Sequence, residues 1–295
     1  MIYLRKTKGE RIGNIIICAI LMLVTFITIY PFWHVLMYSL SNSQAASSGG
    51  LFFWPRQFDL TGYKLVLQQT QLYTAYANTI SRTVVGTAIS LLLTATLAYP
   101  LSLPRLKGRK FLCMAIFFTM LFSGGMIPTY LLVNNLGLID TFWALVLPNA
   151  MTAYNLFIMR NYFQSLPASL EESARIDGAS PLRILFKIIL PISTPTLAAV
   201  GMFYGVHNWN SYLDGVLYIN TSSLQILQVY LRNLFASAGA GAVLSGVQDI
   251  SAASKITEET LKMVTISVSV IPVLLVYPYL QKYYTKGVTV GAVKG

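Results

Sequence analysis

The sequence predicts an all-α integral membrane protein with six transmembrane helices, on three observations. Of the 295 residues, 55% are hydrophobic and 11% charged, where a soluble domain carries about 25% charged residues. The apolar residues gather in long runs with few charges inside them, and a helix needs about 20 such residues to cross a bilayer. The basic residues concentrate in every second connection between those runs.

The spans are expected at residues 13–37, 77–103, 111–133, 141–162, 186–207 and 262–281. The first could be mistaken for a signal peptide, because Ser43-Gln44-Ala45-Ala46 resembles a cleavage site. The run from Ile12 to Met37, however, is about twice the length of a secretory apolar core. Pro31, Pro100, Pro128, Pro148, Pro191 and Pro272 lie in or at the ends of the spans. Membrane helices tolerate proline because neighbouring groups satisfy the freed carbonyls, and such prolines mark kinks. Residues 41–76 form a connection of moderate length that contains Phe52-Phe53-Trp54-Pro55. Residues 134–140 form a turn, and 208–261 are the longest polar stretch, rich in Ser, Gly and Ala over 236–254. Cys18 and Cys113 both fall in apolar runs and suggest neither a disulfide framework nor a metal site.

Charge gives the direction. Arg5, Lys6, Lys8 and Arg11 precede the first span; Arg105, Lys107, Arg109 and Lys110 follow the second. Arg160, Arg175, Arg183 and Lys187 lie between the fourth and fifth, and Lys282, Lys286 and Lys294 follow the sixth. The opposite side holds Arg56, Lys64, Arg232, Lys255 and Lys262, with Arg82 near the outer end of the second span. By the positive-inside rule both termini are cytoplasmic. The layout is a cytoplasmic segment 1–12, a six-span domain over 13–281 and a cytoplasmic tail 282–295. The net charge of +11 then faces anionic lipid headgroups; no nucleic-acid module accompanies it.

Residues 165–191, SLPASLEESARIDGASPLRILFKIILP, are a charged cytoplasmic segment between two apolar runs. Ser169 and Glu172 have the spacing of a capping box that opens a helix, and Glu171 and Glu172 favour its positive end. Gly178 supplies a stop in the left-handed conformation. Ser180-Pro181 starts a second helix with proline at its first position. Leu182, Leu185, Ile188 and Ile189 give that helix an apolar face. A helical hairpin continuous with membrane spans at both ends is either a plain surface elbow or a docking knob. Ser173, Ala174, Gly178 and Ala179 would let such a knob seat closely in a partner's groove.

The pattern Glu172-Ser173-Ala174-x3-Gly178-x9-Ile188-x-Leu190-Pro191 resembles the Glu-Ala-Ala loop of ABC importer permeases, with Ser for the middle Ala. Leu170-Glu171-Glu172-Ser173-Ala174-Arg175-Ile176-Asp177-Gly178-Ala179 is similar to the carbohydrate-uptake, maltose-type branch. Gly125-x-Ile127-Pro128-Thr129-Tyr130, Asn135-x-Gly137-Leu138, Leu147-Pro148, Asn208-Trp209-Asn210 and the closing Lys286-Gly287-x4-Gly291-Ala292-Val293-Lys294-Gly295 extend the resemblance over nearly the whole chain. Within the branch it looks closest to permeases for oligosaccharides released from pectin or alginate.

The resemblance implies an oligosaccharide importer subunit in a bacterial cytoplasmic (inner) membrane. A second homologous permease would pair with this one, and an extracytoplasmic sugar-binding protein would deliver the cargo. Two copies of a cytoplasmic ABC ATPase would each grip one hairpin. Here the coupling residues would be Glu171, Glu172, Ser173, Ala174, Arg175, Asp177, Gly178, Ala179, Ile188, Leu190 and Pro191, with the tail 282–295 as a further contact. ATP and Mg would bind the partner ATPase and no cofactor would bind this chain. In keeping with that, the sequence has no G-x-x-x-x-G-K-[ST] loop to cradle phosphates.

For the sugar path, polar and aromatic groups at membrane depth are the candidates: Asn149, Thr152, Tyr154 and Asn155 in span four, and Tyr204, Asn208, Trp209 and Asn210 at the outer end of span five. Rings stack on pyranoses and amides bond hydroxyls; interhelical hydrogen bonds and interfacial belts are the competing use of such residues. Arg82 is expected to snorkel to headgroups or to meet an anionic sugar. His34 and His207 are far apart in sequence and read as packed or interfacial. Glu258-Glu259 read as a solvated helix start, not as the flanking acid pair of sugar hydrolysis. The rival functions are a permease for another solute such as a peptide, and a membrane-embedded enzyme, for which no convergent acid, metal or nucleophile–base set is found.

Overall fold

The computed structural model describes residues 8–236, 256–272 and 274–275. The end of span six, the tail 282–295 and almost all of the Ser/Gly/Ala-rich stretch lie outside the described residues. The chain falls into two compact units, one of residues up to 69 with 233–271, the other built on residues 70–232.

The first unit contains α1 (Lys8–Ser39), α2 (Ser43–Ala46), α3 (Thr61–Leu67) and a helix over residues 258–272. α1 is apolar on every side, and none of its apolar window, within Ile12–Ser39, is buried against the rest of the chain. Such a helix suits lipid, where backbone polarity must be satisfied within the segment. Its Thr25 and Thr28 hydroxyls donate back to the Leu21 and Val24 carbonyls at 2.7 and 2.9 Å, which hides their polarity. At its end His34 meets Phe52 edge-on with ring centroids 5.2 Å apart, and Tyr38 lies 5.0 Å from the same ring; His34 is a packed histidine. Asn42 caps α2 by accepting from the Gln44 and Ala45 amides. The helix over 258–272 approaches α3 closely. A Cβ at Gly62 would lie 3.0 Å from Val264 Cγ2, so the glycine sets the approach. The Thr257 amide donates to Ser43 Oγ at 2.6 Å and Ser267 Oγ donates to Ser39 Oγ at 3.1 Å.

The second unit is organised on α4 (Thr70–Ser102), 33 residues long. It begins seven residues before the expected span. Its buried face carries Ala75, Thr79, Gly86, Ser90, Thr94, Ala95 and Ala98; small residues let membrane helices approach. α5 (Arg109–Leu121), α6 (Met126–Asn135), α7 (Ala153–Ser165), α8 (Ala168–Ile176), α9 (Pro181–Ile184), α10 (Leu190–Ile192), α11 (Thr194–Asn210), α12 (Leu213–Tyr218) and α13 (Leu227–Ala236) follow. α11 crosses α4 where a Cβ at Gly86 would meet the Asn208 side chain at 2.9 Å and one at Gly201 would meet Leu91 at 3.2 Å.

Three expected spans differ from continuous helices. The third is two helices, Arg109–Leu121 and Met126–Asn135, bent by 114°. Gly125 adopts φ +90° at the break, a left-handed conformation that glycine reaches without a Cβ clash. In the fourth, a 3-10 turn, Phe142–Leu145, is followed by irregular chain until Thr152 caps α7. Pro148 disfavours helix at the residue before it. The fifth continues from Pro181 to Ile192, breaks at Ser193 and resumes as Thr194–Asn210, bent by 87°. A π turn, Leu185–Ile189, precedes the break; Pro191 lacks the N–H that the residue-187 carbonyl would otherwise accept. Among the described residues, Ile12–Ser39 and Thr70–Ser102 are each long and apolar enough to cross a membrane, and each bent pair adds one if it serves as a single span.

Between α6 and α12, Asp140 takes φ +60° and its carboxylate accepts from the Asn220 and Thr221 amides at 3.0 and 2.8 Å. The Thr221 hydroxyl and amide hold this carboxyl below its ordinary range.

Candidate functional site

The hairpin forms as helix, turn and helix, by partly different means from those the sequence suggested. α8 starts at Ala168 with Pro167 in the capping position and no side-chain cap bond. Ser169 therefore lies inside the first turn, and the expected Ser169–Glu172 capping box does not form: the proline enters the helix first, with φ −59° already fixed. The stop is as expected. Gly178 takes φ +75°, the Ala179 amide donates to the Ala174 carbonyl and the Gly178 amide to the Arg175 carbonyl, both at 2.9 Å. These are the two bonds of a Schellman motif. Ser180 Oγ then accepts the Arg183 amide at 3.4 Å, with Pro181 at the first helical position.

The faces divide cleanly. Ala174, Ile184, Leu185 and Ile189 are buried in one cluster with Tyr99 of α4, Met159 and Phe163 of α7, and Tyr204 of α11. Ala174 is thus small because it packs on its own chain; it does not line an outer groove, and Ala179, Ile188 and Leu190 also lean on that cluster. Leu182, expected on the inner face, is 64% exposed, and Ile176 is 87% exposed. Glu172, Ser173, Arg175, Asp177, Gly178 and Arg183 of the same segment are exposed as well; Pro191 is also exposed, farther along. Exposed isoleucine and leucine in a segment that also exposes charges of both signs are the chemistry of a protein contact. Sequence periodicity missed Ile176, which follows Arg175 near the end of a nine-residue helix.

Glu171 does not share that surface. It pairs with Arg105, from the connection after α4, and with Arg175 Nε at 3.1 Å. The same end of α4 is tied to α7: Arg160 Nε donates to the Leu101 carbonyl at 3.0 Å and Gln164 Nε2 to the Ser102 carbonyl at 3.4 Å.

The candidate path residues separate into two groups. Tyr204, Asn208 and Asn155 are buried within the chain. The Tyr204 hydroxyl bonds Thr94 Oγ1 at 2.7 Å and accepts the Thr152 amide at 3.2 Å, while Asn208 Nδ2 donates to Thr87 Oγ1 at 3.5 Å. Tyr204 and Asn208 join helices, and Thr152 caps one. Asn149, Tyr154 and Asn210 are exposed, and Trp209 is half-buried with its carbonyl accepting from Gln228. His207 is exposed.

Arg82 corrects an expectation. It neither snorkels nor faces a sugar: its side chain is 0% exposed and forms an ion pair with Asp214. Arg82 also donates to the Leu145 and Ser211 carbonyls, both at 3.1 Å. Asp214 in turn accepts from Ser211 Oγ at 3.0 Å and the Gly215 amide at 2.9 Å. One guanidinium thus joins α4, the 3-10 turn and the start of α12. With the partners 132 positions apart in sequence, no local pattern announces Asp214.

The family described as "Binding-protein-dependent transport system inner membrane component" matches residues 72–290. The chain belongs to this family. Members are permease subunits, so the protein is an ABC transporter permease of the inner membrane and its family is one of transport subunits, not enzymes. It is 42% identical to the polygalacturonan/rhamnogalacturonan transport system permease protein YtcP of Bacillus subtilis, over 97% of this chain and 99% of that one. Protein LplC of the same organism is 41% identical over 99% and 98% of the two chains. A chain in the crystal structure of a bacterial ABC transporter for import of the acidic polysaccharide alginate superposes with a TM-score of 0.88 at 35% identity, covering 95% of this chain and 99% of that one.

Proposed function

We propose that the protein is one of two homologous membrane subunits of an ABC importer that takes up oligosaccharides released from acidic polysaccharides. The carrying observation is full-length similarity to a polygalacturonan/rhamnogalacturonan permease, supported by the alginate importer fold. Six spans with both termini in the cytoplasm complete the reading, with an extracytoplasmic binding protein handing over the sugar. The exposed candidates Asn149, Tyr154 and Asn210 are uncharged, and amides and rings suit sugar hydroxyls and pyranose faces.

The hairpin 165–191 is the seat of the cytoplasmic ATPase, where ATP and Mg bind. The exposure of Ile176 and Leu182 in a segment that also exposes charges of both signs supports this. Reconstituted with its partners in proteoliposomes, the importer is expected to take up radiolabelled trigalacturonate with ATP and to leave maltotriose outside. Preference for maltotriose or for a peptide overturns the substrate class. Glu172→Lys and Gly178→Asp are expected to abolish capture of the ATPase by the purified permease while the chain still inserts; wild-type capture removes the hairpin as the seat. Trp209→Ala is expected to lower uptake without loss of assembly, and normal uptake removes it from the path.

A further inference from the structure

Two adjacent glutamates in the hairpin face opposite ways. Glu172 is exposed with no partner among the described residues, whereas the Glu171 side chain is 15% exposed and held by two arginines. Arg175 lies on the same helix four residues on, so that pair fixes only the side chain's direction. Arg105 is different: it belongs to the connection that leaves α4. Its pairing with Arg105 aims the Glu171 carboxylate at the end of α4.

We infer that Glu171 and Arg105 form an internal strut that makes the hairpin and the cytoplasmic end of α4 move as one body, and that Glu171 is a positioning residue, not an ATPase contact. The inference rests on the reading of the hairpin as the ATPase seat. Besides the strut, the hairpin meets the rest of the unit by apolar packing along two routes. Its first helix contributes Ala174, a single methyl against Tyr99 and its neighbours. Its second helix contributes Ile184, Leu185 and Ile189 to the same cluster, but its chain passes through the π turn Leu185–Ile189 and the break at Ser193. Irregular turns of that kind are where helices give. A push on the tip would then be absorbed at the π turn. With the strut in place it reaches α4, the longest helix of the unit and the one whose small-residue face carries α11. The two carbonyls of α4 taken by Arg160 and Gln164 extend the same rigid joint to α7.

The test uses the complete importer with its ATPase. Lys107→Cys and Ser169→Cys, both at exposed positions, carry spin labels after Cys18 and Cys113 are changed to serine. The label separation is read without nucleotide and in the ATP–vanadate state. With Glu171 and Arg105 intact, the separation is expected to be the same in both states. In Glu171→Gln, in Arg105→Gln and in the double variant, nucleotide is expected to change it by about 2–5 Å, the size of a helix shift. The double variant is expected to match either single one, because both remove one interaction. A separation that already changes with Glu171 and Arg105 intact, or that stays fixed in the variants, overturns the strut. So do double-variant shifts that equal the sum of the single ones. Capture of the ATPase is measured on the same samples: loss of capture in Glu171→Gln makes Glu171 a contact residue and overturns the assignment. Retained capture in Glu172→Lys instead defeats the seat itself.

Discussion

Arg82 sits within α4 and Arg105 just beyond its end, and each meets one carboxylate, yet the two pairs hold the molecule in different ways. From Arg82 to the end of α4 at Ser102 is about 30 Å of helix at 1.5 Å per residue. Arg82 is fully enclosed, and its guanidinium answers three acceptors from two segments distant in sequence. The Arg105 side chain is 44% exposed and answers one carboxylate. Burial makes the first pair intolerant, because removing one partner strands a charge in a medium that cannot solvate it. Exposure makes the second pair weak in free energy, since water and salt substitute for either partner. α4 is thus locked at Arg82 by electrostatics it cannot relinquish, while its far end is held at Arg105 by a contact that adds little free energy and serves to fix direction. That far end is the one proposed to meet a moving ATPase.

The largest effect expected is therefore at the enclosed pair. Arg82→Ala or Asp214→Ala should destabilise the second unit by about 3–5 kcal/mol, read as a fall in melting temperature in detergent and in the yield of monodisperse protein. The double change Arg82→Met with Asp214→Leu should recover part of this, because no charge is left stranded. Recovery should stay incomplete, because the Leu145 and Ser211 carbonyls still lose their donor. Full recovery would show that the backbone bonds contribute nothing. Next comes Gly215→Ala, beside Asp214. The added Cβ would lie 2.8 Å from both Ile226 Cδ1 and Val229 Cγ2, and overpacking of this kind costs about 1–3 kcal/mol. A smaller loss is expected in the hairpin. Gly178→Ala forces an L side chain to φ +75° at about 1–2 kcal/mol. This should surface as faster proteolysis of 165–191 and not as a lower melting temperature of the whole chain.

The contrast between the pairs also separates what was legible in the sequence from what was not. Helices α1 and α4 are readable because each is one long apolar run, and a run needs no knowledge of its neighbours. The hairpin's stop and restart are readable because Gly178 and Ser180-Pro181 act within one turn of chain. Kinks were expected at prolines such as Pro128 and Pro191, but the size of the bends was not read: the angles of 114° and 87° depend on what packs beside them. The Ser169–Glu172 box failed because a competing local signal, Pro167, acts two residues earlier. Among the candidate path residues, residue type could not distinguish exposed Tyr154 from Tyr204, whose hydroxyl is taken up by Thr94 and Thr152. Arg82 was misplaced for the deepest reason. Its depth is set by Asp214, and a partner 132 residues away leaves no periodicity to find.

The smallest effect is the one that sharpens the comparison most. Arg105→Gln is expected to change stability by less than about 1 kcal/mol, the ordinary worth of an exposed ion pair. Salt should erase even that, because charges in contact with solvent are screened over about 8 Å at physiological ionic strength and about 3 Å at 1 M. Arg82→Gln should remain as destabilising in 1 M salt as in dilute buffer, since ions do not enter the enclosed pair to screen it. Melting both variants beside the parent chain at low and high salt therefore gives two differences with different salt dependence. If the Arg82→Gln deficit also collapses in salt, that pair is open to solvent and the lock at that end of α4 is not electrostatic. If the Arg105→Gln deficit is large and independent of salt, Arg105 is a buried anchor of the hairpin, and an exposed ion pair is the wrong description of this joint.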